Sequence, residues 1–317
     1  VVGCFGLGNM FQSYLAYVQF VNIAGGSESL LDERGWLFGL LMAFPVGAVI
    51  IGGIKSIARA ASKIVPFMGI LYFISAFVIL ILSAEYLADS VILIVSEAFS
   101  TQSATGGMVG AMVIGFQRAA FSNEAGVGTS PIIHAASKND NPIKEGLVAM
   151  TGPFVDTIIV CTLTAFSILV SGIWDLGNAS GIQLVLLSFE KSIPYFGKYI
   201  LFSCTFIFAI TTLFGNSYFG ERCLSYLVGE KYSYYYRFFY ISLIIIGSVS
   251  SLDFVLSLID LSYGIMIFPT MISTLILMPK INALSRKYFE ISKKSKLYNF
   301  EDSEFECKRG PGPGARS

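Results

Sequence analysis

Long apolar stretches recur along the whole sequence and restrict the folds open to this chain more than any other feature. They lie at about 3–24, 36–53, 64–83, 104–137, 146–171, 198–220, 236–251 and 254–278. Most of them approach the roughly 20 residues with which a helix crosses a bilayer. They run too continuously for barrel strands, which alternate over about ten residues. We therefore predict an all-α membrane protein with about eight transmembrane helices.

The overall composition supports a lipid environment. Hydrophobic residues make up 54% of the chain and charged residues only 13%, whereas soluble domains are about one quarter charged. The formal net charge of zero argues against a nucleic-acid partner. The five cysteines show no metal-ligand spacing, and His134 is the only histidine, so no metal site built from cysteine or histidine is predicted.

The basic residues are divided unequally between the two sides of the predicted bundle. Seventeen of the 21 lie in the loops at 54–63, 138–145 and 221–237 and in the tail from 279, whereas the other loops hold three. Cytoplasmic loops are rich in lysine and arginine, so this side is expected to be cytoplasmic. An even number of crossings then places both ends of the sequence in the cytoplasm.

Two short apolar segments are expected on the outer side. The segment IQLVLLSFEKSI (182–193) is too brief to cross a bilayer, and VILIVSEAF (91–99) resembles it. Each is predicted to cover the outer mouth as a helix or to lie as an ordinary interfacial helix.

The span at 104–137 is the exception among the predicted helices. Its 34 residues would reach about 51 Å as one straight helix, but the apolar core of a bilayer is only about 30 Å thick. The span also contains Gly126, Gly128 and Pro131, which weaken a helix. We therefore predict a helix broken near 121–128.

Such a break offers a binding site. One half is expected to end around Ala120 and the other to begin between Gly128 and Pro131, where proline suits a first turn. Free backbone groups and two opposed dipole ends can hold a carboxylate and an alkali cation together. A simple kink packed between helices is the alternative. For Glu124 we favour pairing with Arg118 or capping of a free N–H over a coupling-ion or proton site.

Two further polar clusters lie within spans. GLGNMFQSY (6–14) places Asn9 and Gln12 on one helix face, where they would serve either a ligand or helix–helix hydrogen bonds. Thr211 and Thr212, with the Phe208 carbonyl one turn earlier, offer three neutral oxygens to a hard cation. Hydrogen bonds from these hydroxyls back to carbonyls of their own helix are the alternative.

Several motifs resemble the alanine or glycine:cation symporters, a family of sodium-coupled amino-acid carriers. The matching segments, in order, are GLGNMFQ (6–12), GGIKSIARAASKIVPFM (52–68), RAAFSNEAGVGTSP (118–131) with FVDT (154–157), and GNSYFGERCLSYLVG (215–229). The resemblance runs from about residue 3 to 285.

The resemblance implies a leucine-transporter-like (LeuT-like) fold of two inverted five-helix repeats. Residues 1–285 would then supply core helices 3 to 10, with 104–137 as the second broken helix. Residues 286–317 would form a cytoplasmic tail, disordered at its end. The preceding segments of the family, including its first broken helix, do not match this sequence, so an N-terminally truncated member is expected.

The resemblance also implies site residues. The substrate pocket maps to Gln12, Phe121, Ser122, Asn123, Gly126 and Thr212. The sodium site maps to Thr211, Thr212 and the backbone carbonyl of Phe208. Departures from the family pattern occur at Tyr14, at Asn216 and in LSYGIMIFPTM (261–271).

The function implied is sodium-coupled symport of a small neutral amino acid, alanine or glycine, by alternating access in a bacterial inner membrane. An incomplete transporter that acts as a non-transporting membrane subunit is the alternative. An intramembrane enzyme using Ser122 and His134 is disfavoured, because a spacing of 12 residues across a break does not bring them together. The oligomeric state is left open.

Overall fold

In a computed structural model, the chain is mostly helical in the parts that the structure describes, which are residues 1–26, 34–99, 107–176 and 181–308. No strand is present in these ranges. The α-helices are α1 (Val2–Phe5), α2 (Gln12–Ile23), α3 (Gly35–Ile51), α4 (Gly53–Leu82), α5 (Leu87–Ala98), α6 (Met108–Asn123), α7 (Ser130–His134), α8 (Pro142–Pro153), α9 (Cys161–Ser171), α10 (Ile182–Ser192), α11 (Gly197–Val228), α12 (Glu230–Val249) and α13 (Leu252–Lys308). Two π-helical segments are inserted, π1 (Gly6–Phe11) and π2 (Phe154–Val160).

Four of the described helical segments are long and apolar enough to cross a membrane. They are Gly53–Leu82, Pro142–Ser171, Gly197–Val228 and Leu252–Ile291, and α3 is a shorter apolar helix. The predicted all-α membrane class is therefore confirmed. The number of crossings and the LeuT-like arrangement stay predictions.

The two short apolar segments that were predicted for the outer side are helical, as expected. Residues 87–98 form α5, and residues 182–192 form α10, which packs against α9 and α11.

Two predicted loops are wrong, because helices continue through them. Residues 54–63 belong to α4, whose chain turns at Gly52–Gly53 with Gly53 at φ +69°. Residues 221–237 are helical except at Gly229, which has φ +91° and separates α11 from α12. Basic residues are good helix formers and do not end a helix. The charge pattern therefore did not locate the helix ends.

The chain after residue 278 also remains helical. The predicted tail begins inside α13, which continues to Lys308, and residues 309–317 lie outside the described part. Helix α13 contains Pro269 and Pro279 without ending at either.

Arg237, a basic residue in one of the predicted loops, forms hydrogen bonds with two other helices. Its guanidinium forms two hydrogen bonds with the carboxylate of Glu221, at 2.6 and 3.0 Å. A third, of 2.8 Å, goes from Nη1 to the carbonyl of Ile51, the last residue of α3. A cation at a helix C-terminus bonds carbonyls that have no partner within the helix. Arg237, which lies in α12, therefore bonds both the end of α3 and a residue of α11.

The core of the fold lies where α3, α11 and α12 meet. Residues spaced by four along α3 face this core, because a helix brings every fourth residue to one side. The fully buried side chains there are Met42, Val46, Ile50, Leu213, Tyr240 and Ile244. The Tyr240 hydroxyl also lies 2.9 Å from the carbonyl of Gly8 and 3.1 Å from that of Leu213. This contact joins α12 to both π1 and α11.

Glycine at position 247 permits a close backbone contact in this core. A Cβ atom there would lie 2.6 Å from the Cα of Met10 and 2.9 Å from its carbonyl oxygen. Helices in membrane proteins commonly use small residues where their backbones touch. Because the obstructing atoms are backbone, they cannot move aside as a flexible side chain would.

We expect Gly247→Ala to lower the free energy of unfolding by about 1–3 kcal/mol, the usual cost of overpacking a core. Gly69→Ala in α4 is the matched control, since nothing lies within 4 Å of a Cβ at that position. The control should be neutral or more stable by up to about 1 kcal/mol, because alanine is the better helix former. Unfolding in detergent, followed by circular dichroism, measures both. Equal stability of the two variants would contradict the contact.

Candidate functional site

The predicted helix break is present between Asn123, where α6 ends, and Ser130, where α7 begins. The first half ends three residues later than expected. The connecting backbone is left-handed at Glu124 (φ 52°), Gly126 (φ 83°) and Gly128 (φ 101°). These conformations stop a right-handed helix directly, and two of them suit only glycine.

Side chains satisfy several polar groups of the break. Asn123 accepts a hydrogen bond from the N–H of Ala125 at 2.9 Å, and Thr129 donates one to Glu124 at 2.5 Å. From α13, the Thr270 hydroxyl donates to the carbonyl of Val127 at 3.2 Å. Glu124 therefore has a structural bond, as we favoured, but its partner is Thr129 rather than Arg118.

The end of α6 is also tied to π2. Ser122 donates to the carboxylate of Asp156 at 2.5 Å, and the amide of Asn123 donates to Thr157 at 2.8 Å. Both partners lie in the wide turn of π2. Single π-turns inside α-helices frequently occur at functional sites. The break and π2 thus form one side of a polar site.

A cavity of about 400 Å³ opens between this polar side and the helices α2 and α11. It is lined by Phe11, Gln12, Leu15, Ala16, Gln19, Ser122, Glu124, Asp156, Ile182, Thr205, Phe208, Ala209 and Thr212. Two carboxylates, and no lysine or arginine, are among the described residues that line it. The electrostatic potential in the cavity therefore favours a positively charged group.

Two contacts define the register of α2 and the preceding π1 against α11. Gly8 lies against the side chain of Asn216, and Gln19 accepts a hydrogen bond from Thr205. One residue number rises as the other falls, so the two helices are antiparallel. Gln12 and Thr212 fall at matching positions between these contacts, and both line the cavity.

Four of the residues predicted for the site line this cavity together, namely Gln12, Ser122, Phe208 and Thr212. Three others do not line it. Asn123 is next to Ser122 but bonds Thr157, Gly126 lies in the break near Met271, and Thr211 bonds within its own helix. The side chain of Phe121 lies outside the described part of the chain.

Two of the proposed cation ligands, Thr211 and Phe208, form a hydrogen bond within their own helix, which was the alternative to cation binding. The Thr211 hydroxyl donates to the carbonyl of Phe208 at 2.9 Å. Two oxygens at this separation are also close enough to bind one hard cation at about 2.3–2.6 Å, if the hydroxyl hydrogen rotates away. In the described ranges no cluster of three or more histidine, cysteine or acidic residues could hold a metal ion.

Asn9 and His134 have structural partners. The Asn9 side chain is fully buried and donates to the carbonyl of Tyr240 at 2.6 Å, which is the helix–helix role that the sequence left open. His134 lies 2.7 Å from Glu145, whereas Ser122 bonds Asp156. The structure therefore does not bring Ser122 and His134 together as nucleophile and base.

Sequence reasoning did not assign Gln19, Thr205 or Asp156 to the site. Gln19 lies seven residues after Gln12, and Thr205 lies seven residues before Thr212, so each shares a helix face with a predicted residue. This spacing could have identified Gln19 and Thr205 as candidate site residues from the sequence. No comparable pattern marked Asp156, because its position depends on the π-turn.

All residues of this site lie in the part of the chain that matches one protein family. The model of the sodium:alanine symporter family matches residues 1–302. An uncharacterized transporter of Haemophilus influenzae is 37% identical over 271 residues, or 84% of this chain and 59% of the relative. The sodium/alanine symporter AgcS of Methanococcus maripaludis is 36% identical, over 91% of this chain and 63% of the relative. The probable sodium/glutamine symporter GlnT of Bacillus subtilis is 31% identical, over 91% and 59%.

The position of the end of α6 against π2 and the adjoining start of α9 can be tested by cross-linking. The Oγ of Ser122 lies 3.8 Å from the Sγ of Cys161. A thiol introduced by Ser122→Cys should therefore form a disulfide with Cys161 under mild oxidation, because small side-chain rotations bring the sulfurs to bonding distance. Peptide mass spectrometry identifies the linked pair. The variant that also carries Cys161→Ser is the control. Absence of the 122–161 linkage in folded protein would contradict the contact between the end of α6 and the start of α9.

Proposed function

Because the chain belongs to the sodium:alanine symporter family, we propose that it forms the substrate-binding part of a carrier that couples sodium to the uptake of alanine or glycine. The family is one of transporters and not of enzymes. The chain spans about six tenths of the length of the relatives it matches, 59% and 63% of the first two. Activity is accordingly proposed for the whole protein of which these residues form the matched part.

One observation carries the proposal. Gln12, Ser122 and Thr212 come from separate parts of the chain, and they line a single cavity beside a broken helix. An amino acid needs acceptors for its ammonium group and donors for its carboxylate. Asp156 and the free carbonyls at the end of α6 provide acceptors, since a helix C-terminus is negative. The amide of Gln12 and the hydroxyl of Thr212 provide donors.

The charge of the cavity supports coupling to a cation. A substrate carboxylate that enters beside Glu124 and Asp156 is repelled unless a positive charge accompanies it. Sodium bound by the carbonyl of Phe208 and the hydroxyls of Thr211 and Thr212 would supply this charge. Each ligand would then strengthen the binding of the other by the same factor, as linkage requires. Alternating access would convert this coupling into symport.

The arrangement of the chain in the membrane is part of the same proposal. Residues 1–285 would form core helices 3 to 10 of a LeuT-like fold with eight crossings, and residues 286–317 a cytoplasmic tail. Both ends of the sequence would face the cytoplasm from a bacterial inner membrane. The broken helix α6–α7, at the position expected for it, supports this arrangement.

A non-transporting membrane subunit is the second candidate function. The observation in its favour is that residues 261–271 (LSYGIMIFPTM) depart from the family pattern. This candidate predicts that purified protein binds alanine weakly or not at all and catalyses no uptake.

We expect proteoliposomes containing the protein to accumulate labelled alanine only with an inward sodium gradient. Thr212→Val should raise the sodium concentration for half-maximal uptake by about tenfold, the effect of losing one ligand hydroxyl to a charged group. Thr274→Val is the control, since its hydroxyl bonds only the carbonyl of Thr270 in its own helix. It should leave the sodium dependence unchanged.

Two other outcomes would count against the sodium-coupled symporter. Alanine accumulation that does not depend on sodium would refute the sodium site. Uptake that is absent, in protein shown to be folded, would favour the non-transporting subunit.

A further inference from the structure

A second cavity, of about 660 Å³, lies where two membrane-crossing segments end. The segments are Gly53–Leu82 and Pro142–Ser171, and their last residues, Leu82 and Ser171, both line the cavity. Each segment has 30 residues and would reach about 45 Å as a helix. A bilayer with its headgroup regions is about 40–45 Å thick. The cavity therefore lies at the depth of the lipid headgroups.

The side chains around this cavity are typical of the boundary between lipid and water. Tyr86 and Trp174 line it and are 53% and 42% exposed. Tryptophan and tyrosine are enriched at headgroup depth, because their rings are apolar and carry one polar atom. Helix α5, which supplies part of the lining, also exposes the apolar side chains of Ile92 and Val95. Such a helix lies along the membrane surface with its apolar face against lipid.

One positive and one negative side chain line the cavity. They are Lys191, near the end of α10, and Asp89, in the first turn of α5. Within the described ranges neither takes part in an ion pair. The ammonium of Lys191 donates one hydrogen bond, of 2.6 Å, to the carbonyl of Ser171. Because an ammonium has three donors, two remain for a ligand.

A zwitterion with a phosphate and an ammonium group complements these two charges. The phosphate accepts hydrogen bonds from Lys191, and the ammonium donates to Asp89, so both bonds are charge-assisted. A headgroup that carries only a negative charge would leave Asp89 without a partner and would be repelled by it. A quaternary ammonium has no N–H to donate.

The apolar part of the lining distinguishes a lipid from a soluble zwitterion. Leu82, Leu93 and Val170 lie beside the charged residues in the same cavity. Apolar surface of this kind is covered favourably by the glycerol backbone and the first methylene groups of a lipid. A small soluble zwitterion would leave it exposed to water.

We propose that this cavity binds the headgroup of phosphatidylethanolamine, a phospholipid with a primary ammonium group. Lys191 would hold the phosphate and Asp89 the ammonium, so that one lipid links α10 to α5 beside the ends of α4 and α9. The lining residues that the structure describes are all different from those of the proposed substrate cavity. The lipid site is therefore independent of the proposed function.

Native mass spectrometry of the full protein in detergent micelles tests the site. The probes are dioleoyl-phosphatidylethanolamine and dioleoyl-phosphatidylglycerol, which share acyl chains and phosphate but differ in the ammonium. The unaltered protein should bind the ethanolamine lipid about tenfold more tightly, the effect of one charge-assisted hydrogen bond. Asp89→Asn should abolish this preference. Lys191→Met should weaken both lipids by about tenfold, and Lys191→Arg should restore their binding.

Two variants outside the cavity are the controls. Glu85→Gln removes a nearby carboxylate just before α5, and Lys198→Met removes a lysine whose ammonium lies 3.7 Å from Glu190. Neither residue lines the cavity as described, so both variants should bind the two lipids as the unaltered protein does.

Three results would overturn the lipid site. The first is equal affinity of the unaltered protein for the two lipids. The second is an unchanged preference in Asp89→Asn, or an equal loss of preference in Glu85→Gln. The third is displacement of the bound lipid by soluble phosphoethanolamine at equal concentration, which would show that the cavity binds the headgroup alone.

Discussion

Backbone polar groups at membrane depth must find partners within the protein, and this requirement organises the site. Lipid offers no hydrogen bonds, so an interrupted helix is tolerated only where protein or a polar cavity surrounds it. In this chain the interruption at 124–129 is surrounded by Thr270 of α13 and by π2. The side chains of Asn123 and Glu124 bond within the interruption itself. Ser122, Glu124 and Asp156 line the cavity on this side.

The opposite wall of the cavity is held by close packing. Tyr240 joins α12 to π1 and α11, and Gly247 allows π1 to contact α12 at backbone distance. The antiparallel register of α2 and α11 then follows from the Gly8–Asn216 and Gln19–Thr205 contacts. The site therefore combines a firmly packed wall with an irregular, hydrogen-bonded one. Alternating access by carriers requires relative movement of two such parts.

Features that depend on length and local conformation could be predicted from the sequence. The break followed from a span too long for the bilayer, and Pro131 was placed correctly in a first helical turn. Features that depend on tertiary contacts could not. The two π-turns have no sequence signature of their own, so the bond between Ser122 and Asp156 was missed. Helix ends were also misplaced at 54–63 and 221–237, because exposed basic residues continue a helix as readily as they begin a loop. Gln19 was missed for a different reason. Its seven-residue spacing from Gln12 is visible in the sequence, but only the structure shows that its side chain is buried beside the cavity.

The most direct test of the proposed substrate site is an experimental structure of the full protein in lipid, determined with sodium and alanine. The proposed function predicts density for the amino acid between Gln12, Ser122 and Thr212, with its ammonium group towards Asp156. Well-defined alanine density elsewhere, with the Ser122–Asp156 hydrogen bond and this cavity unchanged, would contradict it.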